Sequence, residues 1–252
     1  MRKTALFALL CLPLAAQWQN IKTPNVPRLA DGKPNLNAPA PRTADGKADL
    51  SGIWNPTPKV RNIAVDLGNA GVPMRPWAEE LYNVRASGAL SHLEPDANCL
   101  PQGTPKISTA PAPWKLLQYP DYVAILYEAF TQWRQIFMDG RKLPVDPNPT
   151  WFGYSVGHWE DDTLVVDSSG FNGRIWLDQF GHPSTEQMKV TERFRRKDFG
   201  HMEIRVTIDD PAAYTQPWTA VYEATLLVDS ELLEFICQEN EKDIQHMAPK
   251  AP

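Results

Sequence analysis

The sequence predicts a mainly β protein: an antiparallel β-barrel or sandwich, preceded by an extended proline-rich arm and carrying one short helix. Three observations point there. The 252 residues include 24 prolines against 14 glycines. Proline at about twice its ordinary usage argues against a helix bundle, because each interior proline breaks a helix. From Trp114 onward, short apolar or alternating segments follow one another with turn residues between them. The length suffices for a sizeable core. A formal charge of −5 with no Lys/Arg run argues against a nucleic-acid binder, which needs a basic footprint.

The chain opens with Met1-Arg2-Lys3-Thr4, an apolar run from Ala5 to Ala16 and polar Gln17. A short basic region, a brief hydrophobic stretch and a small-residue exit predict a signal peptide over 1–16, hence a periplasmic or extracellular protein. The run is shorter than the about 20 residues a membrane span needs, and no other segment reads as an integral membrane helix. Cleavage near Ala16 removes Arg2 and Lys3 and takes the formal charge from −5 to −7. It also leaves two cysteines, Cys99 and Cys237. In an oxidising compartment these are expected to form a disulfide, with two buried free thiols as the alternative.

Sixteen of the 24 prolines fall at or before Pro120. Residues 17–49 read as an extended arm that either wraps the body or stays mobile. It contains a short duplication, Ala30-Asp31-Gly32-Lys33 and Ala44-Asp45-Gly46-Lys47, too small for a solenoid repeat. Residues 50–252 form one β-rich domain, proline-dense to about 113. Leu50–Trp54 is its first expected strand, and Pro76 starts a helix with acidic residues in its first turn. Nine further strands are expected: 114–119, 122–130, 133–139, 151–160, 163–168, 188–196, 201–208, 218–228 and 232–239. Asp139-Gly140, Asp161-Asp162, Ser169-Gly170 and Phe199-Gly200 supply turns. A closed barrel of the lipocalin or calycin type is preferred over a sandwich, since closure removes edges and can enclose one small ligand.

Sorting strands by their two-residue period singles out inward charges. Glu192 shares a face with Met188, Val190 and Phe194, whereas Lys189, Arg193 and Arg195 face the other way. Glu128 has apolar neighbours, and Arg134 lies beside Ile136 and Met138. In the expected hairpin Glu128 and Arg134 meet, either as an ion pair fixing register or as part of a site. His158 shares a face with Phe152, Tyr154 and Val156, as a core histidine or a proton-transfer group. Gly153 and Gly157 leave space for a ligand or a neighbouring ring. Burial raises a carboxyl pKa and a neighbouring arginine lowers it. Glu192 is therefore the candidate general acid, and Glu128 the base or electrostatic stabiliser, with His158 as a third catalytic candidate.

Several motifs resemble a broad family of secreted, periplasmic bacterial proteins that has no established activity. They are Ala44-Asp45-Gly46-Lys47 leading into Leu50-Ser51-Gly52-Ile53-Trp54, Cys99-Leu100-Pro101-Gln102-Gly103-Thr104-Pro105, and Asp139-Gly140-Arg141. The most specific runs from Ser155-Val156-Gly157-His158-Trp159-Glu160 to Asp162-Thr163-Leu164-Val165-Val166-Asp167. Thr191-Glu192-Arg193-Phe194, Asp209-Asp210-Pro211 and the ending around Glu234 and Cys237 also fit. The resemblance implies a shared fold and export. Family members often place His where Leu143, Tyr154 and Ser184 stand here. His158 and His182 alone are too few for a zinc site, so no metal is assigned.

No GxSxG elbow, P-loop, GxGxxG, HExxH or EF-hand loop occurs, and no cofactor is called for. Asp161-Asp162 and Asp209-Asp210 read as turns. The expectation is thus an exported barrel that binds a small, partly apolar, aromatic or sugar-like molecule in an aromatic-lined interior. Arg134, Arg141, Tyr154, Trp159 and His182 are its substrate-binding candidates. Cofactor-independent acid–base catalysis (hydrolysis, elimination or isomerisation) is one version; a non-catalytic binding or envelope-assembly module is the other.

Overall fold

The computed structural model describes residues 21–239; the expected signal peptide lies outside the described residues. Nine strands close into a barrel in chain order: β1 Gly52–Pro56, β2 Trp114–Gln118, β3 Tyr122–Tyr127, β4 Gln132–Phe137, β5 Tyr154–Glu160, β6 Thr163–Ser169, β7 Lys189–Arg196, β8 His201–Asp209 and β9 Trp218–Leu226. β1 pairs with β2 through Trp54 and Trp114 and closes the ring on β9 through Trp54 and Leu226. Every neighbouring pair is antiparallel except β4–β5, which run parallel and meet only at Phe137 and Val156. Helix α1, Pro76–Ala86, has Pro in its first turn with Glu79, as the sequence predicts, and Arg85 in its last. Among the described residues no helix is long and apolar enough to cross a membrane.

Alternation settles which faces are buried. β7 turns Val190, Glu192 and Phe194 inward and β8 turns Met202, Ile204, Val206 and Ile208 inward, matching the period-two sorting. Two expected strands need correction. The 122–130 strand stops at Tyr127, because Phe130 and Thr131 adopt left-handed φ values of 59° and 49°. The 232–239 segment is not a strand: β9 already pairs with β1, so a tenth strand finds no free edge. It is instead a strap along the outside. Leu233 N–H donates to Glu128, Phe130 meets Phe235 edge-on, and Cys237 is disulfide-bonded to Cys99.

The long β1–β2 connection packs into the core, to which it contributes Ile107 and Ala110. Residues 102–110 are buried throughout, polar Gln102, Thr104, Lys106, Ser108 and Thr109 included. An eight-stranded barrel is just wide enough for its own side chains to fill it, so a ninth strand leaves room for such an insertion. Ser108 Oγ lies 3.2 Å from the inward Tyr127 hydroxyl.

The arm wraps the barrel, and its duplication is structural. Each copy is a tight hairpin: Leu29 bonds Lys33 and Asn35 bonds Pro27, just as Thr43 bonds Lys47 and Asp49 bonds Pro41. Arg28 donates to the Gly32 carbonyl and pairs with Asp229 at 2.8 Å. Arg42 repeats this with the Gly46 carbonyl and Asp162, at 2.7 Å. The Arg42 guanidinium holds the Asp162 carboxyl below its usual range, and the Thr23 N–H and Arg28 do so for Asp229. A carboxylate whose pKa is lowered on folding stabilises above its unfolded value of about 3.9 and loses that contribution as pH falls through the folded value. The arm is therefore expected to loosen in acid before the barrel does. Amide exchange at Asn35 and Asp49, corrected for intrinsic rate, should accelerate below about pH 4 while Val206 in β8 stays protected. A parallel response of arm and β8 would count against the anchors.

Candidate functional site

The barrel centre is an ion pair between strands that are not neighbours. Arg134 on β4 reaches across to Glu192 on β7, Nη2 to Oε2 at 2.6 Å, both side chains at most 1% exposed. Arg134 also donates from Nε to Ser155 Oγ at 3.1 Å and from Nη2 to Ser168 Oγ at 2.8 Å. Those two hydroxyls are 2.9 Å apart. Burial pulls the Arg134 pKa down, but the Glu192 carboxylate and the Tyr127 hydroxyl together outweigh it and leave Arg134 more firmly charged than usual. Burial, with Glu192 nearby, raises the Tyr222 phenol well above its ordinary value; burial likewise raises Tyr127. The pairing expected between Glu128 and Arg134 is thus corrected. Glu128 sits past the end of β3, outside the barrel, where it accepts from Leu233. The cation that Glu192 lacks on its own face arrives from the far side of the barrel.

His158 is also corrected: it lies on the outer wall of β5, 54% exposed, 3.3 Å from Glu160. The inward residues of β5 are Ser155 and Gly157, and a Cβ at Gly157 would collide with Met138 and Ile136. The space beside that glycine is filled by neighbouring side chains. Glu128, Glu192 and His158 therefore share no cavity: one lies on a loop, one at the centre and one outside. Trp159 packs against the core.

An opening does exist in the wall. Below Phe137 and Val156, β4 and β5 part, because Gly153 takes a left-handed φ of 67° and Thr150 bridges to Phe171 instead. A cleft of about 410 Å³ occupies the gap, lined by Gln132–Gln135 and Phe137 on one side and by Thr150 and Phe152–Ser155 on the other. Phe137 and Tyr154 stack at 5.2 Å with a 25° interplanar angle. Arg141 lies 4.0 Å over the Phe137 ring and donates to the Tyr154 hydroxyl at 2.9 Å. Trp133 stands 63% exposed at the edge. Three of the five sequence-derived binding candidates, Arg134, Arg141 and Tyr154, meet here.

His182 lies elsewhere, buried beside α1. Its Nδ1 donates to Asp178 Oδ2 at 2.6 Å, and Asp178 accepts as well from the Ile63, Gly181 and His182 backbone amides. Tyr82 stacks on the imidazole at 4.3 Å. So many donors make Asp178 a joint between the 60–63 and 178–182 loops. A second buried charge group, from much earlier in the chain, lies close enough for Asp178 to act on Glu94: Lys106 Nζ binds Glu94 at 2.6 Å and Asp96 at 2.8 Å. Burial raises the Glu94 carboxyl despite Lys106. Among the described residues no three His, Cys, Asp or Glu side chains gather as metal ligands. No protein-family profile matches the chain, and comparison with curated proteins finds no relative.

Proposed function

We propose that this is an exported small-molecule-binding β-barrel whose ligand sits in the β4–β5 cleft and is not transformed there. The observation that supports it best is the parted seam itself. A closed barrel has little reason to leave a strand pair joined at one position, yet here the gap is lined by aromatic rings and hydrogen-bonding side chains. Its volume falls in the range of small-molecule sites, about 300–1,000 Å³. The filled interior and the neutralised Glu192 favour binding over acid–base catalysis. The Cys99–Cys237 disulfide and the resemblance to secreted bacterial proteins support export.

Saturation-transfer NMR against a library of small ring compounds tests this. Binders should be found, and Trp133→Ala, at an exposed position, should weaken them by about tenfold or more while leaving the unfolding midpoint unchanged. Binding indifferent to Trp133→Ala and to a second variant, Tyr154→Ala, would place the site elsewhere.

A further inference from the structure

From the chemistry of the cleft we infer that its ligand is a neutral saccharide of one or two ring units, an inference that rests on the binding reading above. The charges of both guanidinium groups at the cleft are already matched, although Arg134 Nη1 has no hydrogen-bond partner among the described residues. Arg134 is held by Glu192 at 2.6 Å, and Arg141 donates from Nε to both Asp139 oxygens, at 2.8 and 2.9 Å. The lining itself contains no carboxylate. A ligand anion would have to compete with these internal carboxylates, and a ligand cation finds no free one; neither gains much.

What the cleft offers is neutral and of two kinds. One is flat apolar surface: the exposed Trp133 ring and the Phe137–Tyr154 stack, which Arg141 holds rigid by lying on one ring and bonding the other's hydroxyl. The other is amide and hydroxyl chemistry, which both donates and accepts, from Gln135, Thr150 and Gln132, the last already donating from Nε2 to the Phe130 carbonyl. A pyranose presents the complementary surfaces. Its axial C–H groups are weakly positive and suit the negative face of an aromatic ring, and its ring-edge hydroxyls both donate and accept. A purely aromatic ligand would satisfy the rings but leave the amides unanswered, and polar groups left unpaired are where such sites discriminate most strongly.

Calorimetric titration of the full mature protein with short neutral oligosaccharides (cello-, chito-, malto- and xylo-series) tests the inference, with benzoate and 4-hydroxybenzoate as comparison arms. At least one saccharide series should bind. Its affinity should change less than about twofold between about 50 and 500 mM salt, since no ion pair forms. Trp133→Ala and Gln135→Leu should each weaken it by about tenfold, the first by removing the platform and the second by removing an amide while keeping the bulk. Binding of the aromatic acids without the saccharides overturns the saccharide assignment and leaves the cleft as a binding site. If saccharides bind but neither variant weakens them, they bind elsewhere and the assignment falls. If saccharides, aromatic acids and the ring-compound library all leave the cleft empty, both readings fall together.

Discussion

Replacing Arg134 by Met lowers the unfolding free energy by about 3–5 kcal/mol, because it leaves the fully buried Glu192 carboxylate without its partner. The loss comes from Glu192 and not from the serines. Ser155 and Ser168 are within hydrogen-bond distance of each other and stay satisfied when the guanidinium goes. Removing both charges therefore costs far less than removing one. The Arg134→Met, Glu192→Leu double variant is expected within about 1 kcal/mol of the parent, or above it, since well-packed apolar replacements avoid desolvating two ions. Urea unfolding midpoints of the four proteins in the cycle measure this. A double variant as unstable as the single one would mean that the ion pair contributes net attraction beyond its desolvation cost. Binding in the cleft by the double variant would separate the barrel's stability from its function.

The same pair shows what the sequence reveals and what it conceals. Glu192 can be placed inside from β7 alone, because one face of that strand is apolar and the other basic, and a shift of one residue would reverse every side chain. Its partner cannot be found that way. Arg134 sits 58 positions earlier, on a strand that touches β7 only across the barrel's interior. Chain proximity points to Glu128, but the β3–β4 register sets Ile125 opposite Arg134 and would bring Glu128 only to Thr131. The strand ends instead on two left-handed residues, Phe130 and Thr131, and neither is the Gly or Asn that normally announces such a turn. His158 misleads for a different reason. Both faces of β5 carry aromatic side chains, so alternation cannot tell which is inside, and the inward face is the one with small Ser155 and Gly157.

The cleft was only half legible. Arg134, Arg141 and Tyr154 can be named as binding groups, and Gly153 as a position that leaves space beside the strand. The parting of β4 from β5 depends on a parallel pairing that hydrophobic pattern does not encode, since a strand reads the same in either direction. Asp178 carries little signal in the sequence because it sits in a loop, where no periodicity marks it as buried; its four-residue spacing from His182 is the one hint. The arm's duplication was visible at once. Its meaning came from two aspartates far away in the chain, Asp162 and Asp229, each waiting at a turn for one arginine.

Opening the Cys99–Cys237 bridge is expected to lower stability by about 3–5 kcal/mol without opening the barrel. The bridge spans a sequence separation of 138, so it constrains the unfolded chain strongly. The native ring does not depend on it. β1 and β9 close directly on each other through Trp54, Asn55 and Pro56, and the bridge joins only the strap to the 96–99 turn. A Cys99→Ser, Cys237→Ser variant should thus keep the far-ultraviolet circular dichroism of the parent and unfold at a clearly lower denaturant concentration. The parent in reductant should match it. Amide exchange separates the two places where the bond acts: Leu233 and Phe235, whose backbone amides bond Glu128 and Thr131, should lose protection by local opening, whereas Val206 should change only through global unfolding. Equal midpoints for oxidised and reduced protein would show that the strap already holds to the barrel without the bond. A matched loss at Val206 and Leu233 would show that strap and barrel unfold as one unit, because then no partial opening exists for the bridge to prevent.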